Sequence, residues 1–327
     1  MSKNKKVVLI VSAIALVCII GAGVVIGILF SRGSDFAEFN NIFGRNMENI
    51  NESAALNLDG ASVLAIDCDS ADIEFVDSDE AKVTIVGEIL GVKDTDDVLS
   101  VYKEGGVLHI DSKMEPMFFS ISTGLDLTVY MPADSMMDLR IKCASGDILM
   151  DGMQFGDMNI KKTSGRASIS ECSAGDVLYD STSGGTQMSG CDFDSLRIDS
   201  TSGNIDIADV TGTITIDSTS GSVDIHGAQD AIDVVSTSGG VSIDYNGTDV
   251  APITVKVTSG GAKLYLDADA AFDLRAKVTS GNIDTNMDIT VTGDLGDDDD
   301  YVNGSCNGGG NLVSITTTSG GIDIFSK

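Results

Sequence analysis

The tripeptide Thr-Ser-Gly returns down the second half of this 327-residue chain at nearly constant spacing. Its glycines are Gly146, Gly165, Gly184, Gly203, Gly221, Gly239, Gly260, Gly281 and Gly320. Successive gaps are 19, 19, 19, 18, 18, 21, 21 and 39 residues, the last close to two periods, and the first occurrence reads Ala-Ser-Gly. A repeat this regular makes each unit one structural rung stacked on the next.

Apolar residues occupy fixed places around each glycine. Seven and five residues before it stand pairs such as Leu139 and Ile141, Leu196 and Ile198, and Ile214 and Ile216. Two and four residues after it stand Ile148 and Met150, Ile205 and Ile207, and Val223 and Ile225. Spacing by two is a strand with one buried face, and β-branched residues suit that surface. The glycine falls where the chain must bend between two such strands. Stacked antiparallel hairpins and a parallel solenoid both use this pattern. The solenoid is favoured because a third apolar position recurs seven residues after the glycine: Met153, Cys172, Cys191, Val210 and Ala228. The expected fold is therefore all-β, a mostly parallel β-solenoid (a single-stranded β-helix) of about ten coils of 18–21 residues. At ~4.8 Å per rung this makes a rod of roughly 50 Å.

The pattern begins before the obvious motif. Leu64, Ile66, Cys68, Ala71, Ile73 and Phe75 repeat the layout, with Ala71 in the glycine slot and Cys68 matching Cys143. Val83–Ile89, Val98–Tyr102, Val107–Ile110 and Leu125–Met131 read as ordinary strands. Residues 56–135 form an irregular first coil or cap, and residues 136–327 form the regular solenoid with an acidic loop at 293–311.

Two stretches carry a family likeness. Leu125–Met150 reads LDLTVYMPADSMMDLRIKCASGDILM, and Gly304–Ile324 reads GSCNGGGNLVSITTTSGGIDI. Over residues 56–327 the chain resembles the bacterial "putative adhesin" domain-of-unknown-function family. The resemblance implies a β-solenoid on the bacterial envelope and carries over no catalytic residues. Some members of that family look like parts of envelope-stress systems.

The N-terminus reads as a membrane anchor. Lys3, Lys5 and Lys6 fall in residues 1–6, and 24 uncharged, mostly apolar residues fill 7–30. A helix of that length clears the ~30 Å hydrocarbon core. A cleaved signal peptide has a shorter apolar region ending at small residues, and no Ala-x-Ala site follows Phe30. Cys18 lacks the small-residue context of a lipoprotein. The lysines keep the N-terminus inside, so the expectation is a single-pass bacterial membrane protein with residues 34–327 outside. Residues 31–55 read as a polar stalk with some helical character.

Net charge is −30, which argues against nucleic acid or anionic lipid as a partner held by charge. Trp is absent and aromatics are 5% of residues, which weakens a sugar-stacking reading. Two residues before the glycines an outward hydroxyl ladder is expected: Thr163, Thr182, Thr201, Thr219, Thr237, Thr258, Thr279 and Thr318. It reads either as a binding face for a repetitive polymer or simply as threonine suiting an exposed strand. Outward charges run from a basic end (Arg140, Lys142, Lys161, Lys162) to an acidic middle (Asp180, Asp199, Asp217, Asp233) and a basic return (Lys256, Arg275, Lys277), with Arg197 among the acids.

Cys172 and Cys191 occupy equivalent places on adjacent coils. That places them within disulfide range, although inward cysteines also pack well as thiols. Cys306 is the odd thiol, in a Gly/Asn loop. Asp297–Asp300 lacks the alternate spacing of a calcium loop and reads as solvated acid. His109 and His226, the only histidines, stand in unrelated places, so neither a Ser-His-Asp triad nor a paired-histidine metal site is built. No cofactor is expected, and the chain reads as a non-enzymatic binding or scaffold protein. Its expected partner is a protein or cell-wall glycan outside the membrane. An envelope-stress accessory touching a membrane sensor is the alternative, and a polysaccharide-acting enzyme comes third.

Overall fold

Alternation of apolar and polar residues through the repeats forces strands that bury every second side chain. The computed structural model describes residues 47–90, 98–112, 121–291 and 300–327. Among these every regular element is a strand. Glu48–Lys327 is one compact unit.

Each rung has two strands. The longer precedes the Ser-Gly bend and joins a fourteen-stranded sheet; the shorter follows it and joins a thirteen-stranded sheet. Ile198 and Ile216, before the bend, and Ile207 and Ile225, after it, are fully buried. Neighbouring rungs pair in parallel and in register, as Leu196 with Ile214 and Ile198 with Ile216. The third apolar position closes the corner: Met153, Cys172, Cys191, Val210 and Ala228 are all buried.

The glycines stack directly on one another. Gly203 has φ +132°, and a Cβ added there would lie 1.8 Å from the Gly184 carbonyl oxygen. The same contact repeats from Gly146, which meets the Ala71 carbonyl, up to Gly260 on Gly239. The bend requires both a left-handed backbone and the absence of a side chain, so the tripeptide ends in glycine. Part of the acidic composition is also structural. Asp147 Oδ1 accepts from the Arg166 N–H, and Asp157 Oδ1 from the Asp176 N–H, so these carboxylates tie one rung to the next.

Both ends of the stack depart from sequence order. The C-terminal strand Leu312–Ser319 lies between Ile253–Ser259 and Phe272–Val278, pairing in parallel with each. Ile322–Ser326 likewise lies between Ala262–Leu266 and Ile283–Thr285. The glycine column agrees, because Gly320 rests on Gly260 and Gly281 rests on Gly320. At the other end Val63–Ser70 pairs with both Val107–Ser112 and Asp138–Ser145, so the earlier coil is the inner one. The stack thus contains eleven rungs among the described residues, against about ten expected. The long gap before Gly320 is an outward step of one rung and a return.

Antiparallel strands cover the outer rungs. Tyr301–Cys306 pairs antiparallel with Phe272–Val278, Ser100–Glu104 with Val107–Ser112, and Lys82–Leu90 with Ile121–Met131. Open parallel edges invite edge-to-edge association, and these strands end the ladders.

Several expectations are corrected. Met47–Ala55, placed in the polar stalk, is a strand of the thirteen-stranded sheet. The early rung read at Ala71 is present as Val63–Ser70 and Asp72–Asp77, so it belongs to the regular stack although the 56–135 boundary grouped it with the irregular first coil. Cys306 is buried at the end of a strand, not carried on a loop. The anchor call at 7–30 and residues Asp297–Asp299 lie outside the described residues. Among the described residues no helix is long and apolar enough to cross a membrane.

Candidate binding groove

Just before the bend, the fourth and second residues ahead of each glycine point outward and the third points inward. On six successive rungs this leaves a groove of about 620 Å³ on the outer face of the fourteen-stranded sheet. One wall is Thr163, Thr182, Thr201, Thr219 and Thr237, continued by Ala144. All eight threonines of the expected ladder are exposed. In space the column runs on from Thr237 to Thr258, Thr318 and then Thr279, because the terminal rungs are exchanged. Among the described residues the hydroxyls of the five groove threonines make no side-chain hydrogen bond, so they are left open to the groove.

The opposite wall is charged. Lys142, Lys161, Asp180, Asp199, Asp217 and Val235 succeed one another along it. Lys161 Nζ lies 2.9 Å from Asp180, and the Arg197 guanidinium bridges Asp199 at 2.7 Å and Asp217 at 2.6 Å. Those hydrogen bonds raise the Arg197 pKa above its ordinary value. Exposed pairs of this kind contribute about 0–1 kcal/mol each. Their main effect is to hold the wall in one arrangement, in which three carboxylates share two cations and keep a net negative charge. Among the described residues no group of three His, Cys, Asp or Glu side chains is placed to hold a metal ion.

Beneath the groove the inward residues form a second column. In register from rung to rung stand Cys68, Cys143, Lys162, Ser181, Ser200, Ser218 and Ser236, all buried. The sequence reading placed Lys162 at the outward basic end; it points inward instead. Its place three residues before Gly165, the slot of Cys143 and Ser181, was the signal for that orientation. Its ammonium donates to the carbonyls of Gly146 at 2.6 Å and Arg166 at 2.7 Å. The Cys143 thiol donates to the Ser145 carbonyl at 3.0 Å.

Burial pushes the Lys162 ammonium below its ordinary 10.5, although the Cys143 thiol and the carboxylates of Asp147 and Asp72 act the other way. The unfolded chain keeps this proton up to about 10.5, whereas the folded chain releases it earlier. Stability attributable to Lys162 therefore rises with pH between the lowered value and 10.5. Urea midpoints of wild type and Lys162→Met, compared from about pH 8 to pH 10.5, should shift in favour of wild type as pH rises. A constant difference would place the ammonium in water.

Cys172 and Cys191 are both buried free thiols. They donate to the carbonyls of Ser170 at 3.1 Å and Ser189 at 3.3 Å, respectively. Cys68 and Cys143, whose coils the sequence left unplaced relative to each other, are direct register partners. His109 lies in the fourteen-stranded sheet and His226 in the thirteen-stranded one, so the two histidines stay apart.

Comparison with known proteins adds the family. Among solved structures the chain is similar to a "putative adhesin" from Bacteroides fragilis NCTC 9343, at 13% identity and a TM-score of 0.44, covering 86% of this chain and 97% of that one. It is also similar to a "putative lipid binding protein" from Parabacteroides distasonis ATCC 8503, at 14% identity and a TM-score of 0.40, covering 84% and 96%. A "putative adhesin" from the same strain matches at 10% identity and a TM-score of 0.39, covering 84% and 97%. No curated protein matches. The family model for Toastrack DUF4097 matches residues 61–325, from the first inner rung to the C-terminal strand, and the chain belongs to that family.

Proposed function

We propose that this protein is a non-enzymatic surface scaffold that holds an extended polymer along the threonine-walled groove. In this reading residues 7–30 anchor it in the bacterial membrane and the rungs stand outside. One observation carries the reading: a single uninterrupted groove crosses six rungs, and five of them in succession present the same threonine hydroxyl. Parallel strands step ~4.8 Å, close to the length of one sugar in an extended chain, so a repeating ligand meets the same wall at every unit. The names of the solved relatives fit an adhesive role. The walls hold charges in ion pairs and no cluster suited to bond cleavage, which favours holding over chemistry.

The test is binding of the full-length protein to isolated bacterial cell walls. Thr182→Trp, Thr201→Trp and Thr219→Trp together fill the groove from outward positions. Binding should fall at least tenfold with an unchanged melting temperature. Unchanged binding removes the groove from the function.

A further inference from the structure

At one end the groove opens into a hollow with different chemistry. Along the outer face of the fourteen-stranded sheet, His109, Ala65 and Arg140 stand in register on three adjacent rungs. Ala65 is small between two large side chains, and over it lies a cavity of about 520 Å³. On the capping strand Tyr102 pairs with His109, and their rings stack at 4.7 Å with a 5° interplanar angle. The Tyr102 hydroxyl donates to Asp111 at 3.1 Å, which fixes the ring, yet the residue remains 43% exposed.

The opposite side of the hollow is basic. Arg140, Lys142 and Lys161 line it with Asn159. Arg140 makes no ion pair among the described residues, and Lys142 has only a 3.8 Å contact with Asp67. Asp67 and Asp111 also line the hollow and Lys161 is held by Asp180, so among the described residues Arg140 is the cation left without an ion pair, close to the stacked rings. Lys142 and Lys161 also line the groove, so hollow and groove share a wall.

We infer that the hollow is a subsite for an acidic sugar at the end of an otherwise neutral glycan. The inference rests on the groove reading and names its ligand. A pyranose lays its C–H face on the hollow-side face of the His109 ring, which Tyr102 backs, Asn159 reaches a hydroxyl, and the planar guanidinium of Arg140 takes the carboxylate or phosphate in a two-pronged contact. The rest of the chain then passes Asp180, Asp199 and Asp217, whose charge excludes a polymer acidic at every unit. The electrostatic sequence along the wall therefore sets the direction in which the glycan lies. Aromatics are scarce in this chain, and at this end of the face the capping strand supplies Tyr102 beside His109.

The experiment uses the full-length protein and three probes: a neutral hexasaccharide, the same hexasaccharide ending in glucuronate, and the same ending in glucose 6-phosphate. Calorimetry should show at least tenfold tighter binding of an acid-capped probe than of the neutral one. The preferred cap separates a carboxylate source from a phosphate source. Arg140→Ala with Lys142→Ala should abolish the preference, bringing the capped probes down to the affinity of the neutral one, and Tyr102→Ala should weaken both capped probes. Higher salt should shrink the preference, because the charges are exposed. Absence of preference, its survival in the double variant, or tighter binding of a single-stranded oligonucleotide overturns the subsite. The groove reading fails separately: if Thr201→Trp leaves hexasaccharide affinity untouched while free glucuronate still binds in an Arg140-dependent way, the subsite stands without the groove.

Discussion

Gly203→Ala should destabilise the protein more than any outward substitution on the same rung. The new Cβ would sit 1.8 Å from the Gly184 carbonyl oxygen and would hold the backbone at φ +132°. Backbone strain of this kind costs about 1–3 kcal/mol and overpacking a similar amount, so roughly 3–5 kcal/mol is expected. Gly247→Ala is the matched control. Its φ is +116°, but nothing lies within 4 Å of an added Cβ, so it should show the strain alone. Chemical denaturation of the two variants separates the contributions. Equal losses would mean that the rungs slide apart freely and that the stacked column is not tight. Because the carbonyl is backbone, no rotamer change relieves the clash; the two rungs must separate, and their ladder hydrogen bonds with them.

Deleting residues 312–327 should do far more than fray a terminus. Those residues supply an inner rung, with Val313, Ile315, Ile322 and Ile324 buried between neighbours on both sides. Four such side chains represent roughly 6–12 kcal/mol of apolar burial. The outer rung made by Phe272–Val278 and Ile283–Thr285, with its antiparallel cover Tyr301–Cys306, loses its only parallel neighbours among the described residues. In a stack stabilised by nearest neighbours, the loss should stay at that end. Limited proteolysis of the truncated protein should cleave within 272–306 and spare the rungs from 138 to 266. Protection of 272–285 would show that the outer rung moves inward and docks on Ile253–Ser259, restoring simple sequence order.

The same exchange of rungs bears on how the fourteen-stranded sheet is covered at its end, while Ile283–Thr285 ends the thirteen-stranded sheet with one neighbour. A solenoid built in sequence order ends on a bare rung. Here the last coil enters the stack, and the displaced coil is long enough to bring its own antiparallel cover. The N-terminal end does the same with Ser100–Glu104 and Lys82–Leu90.

Much was legible from residues alone. Alternation around Ile198 and Ile207, the bend at Gly203, the early rung at Ala71 and the exposed threonine column all follow from local periodicity, which steric chemistry converts directly into inside and outside. That periodicity also determined the rung as the unit of the fold and the hydroxyl repeat as its outer mark. The tertiary structure alone decided the order of the rungs at both ends. Register sets which side chains align but is the same for every rung, so nothing local in Gly281 or Gly320 says which stacks first. It alone decided that Tyr102 meets His109 beside Arg140, because these residues come from three strands distant in sequence. Finally it decided how Lys162 survives inside: its slot three residues before Gly165 already points inward, but only the packed rungs supply the two carbonyl partners that make its burial tolerable.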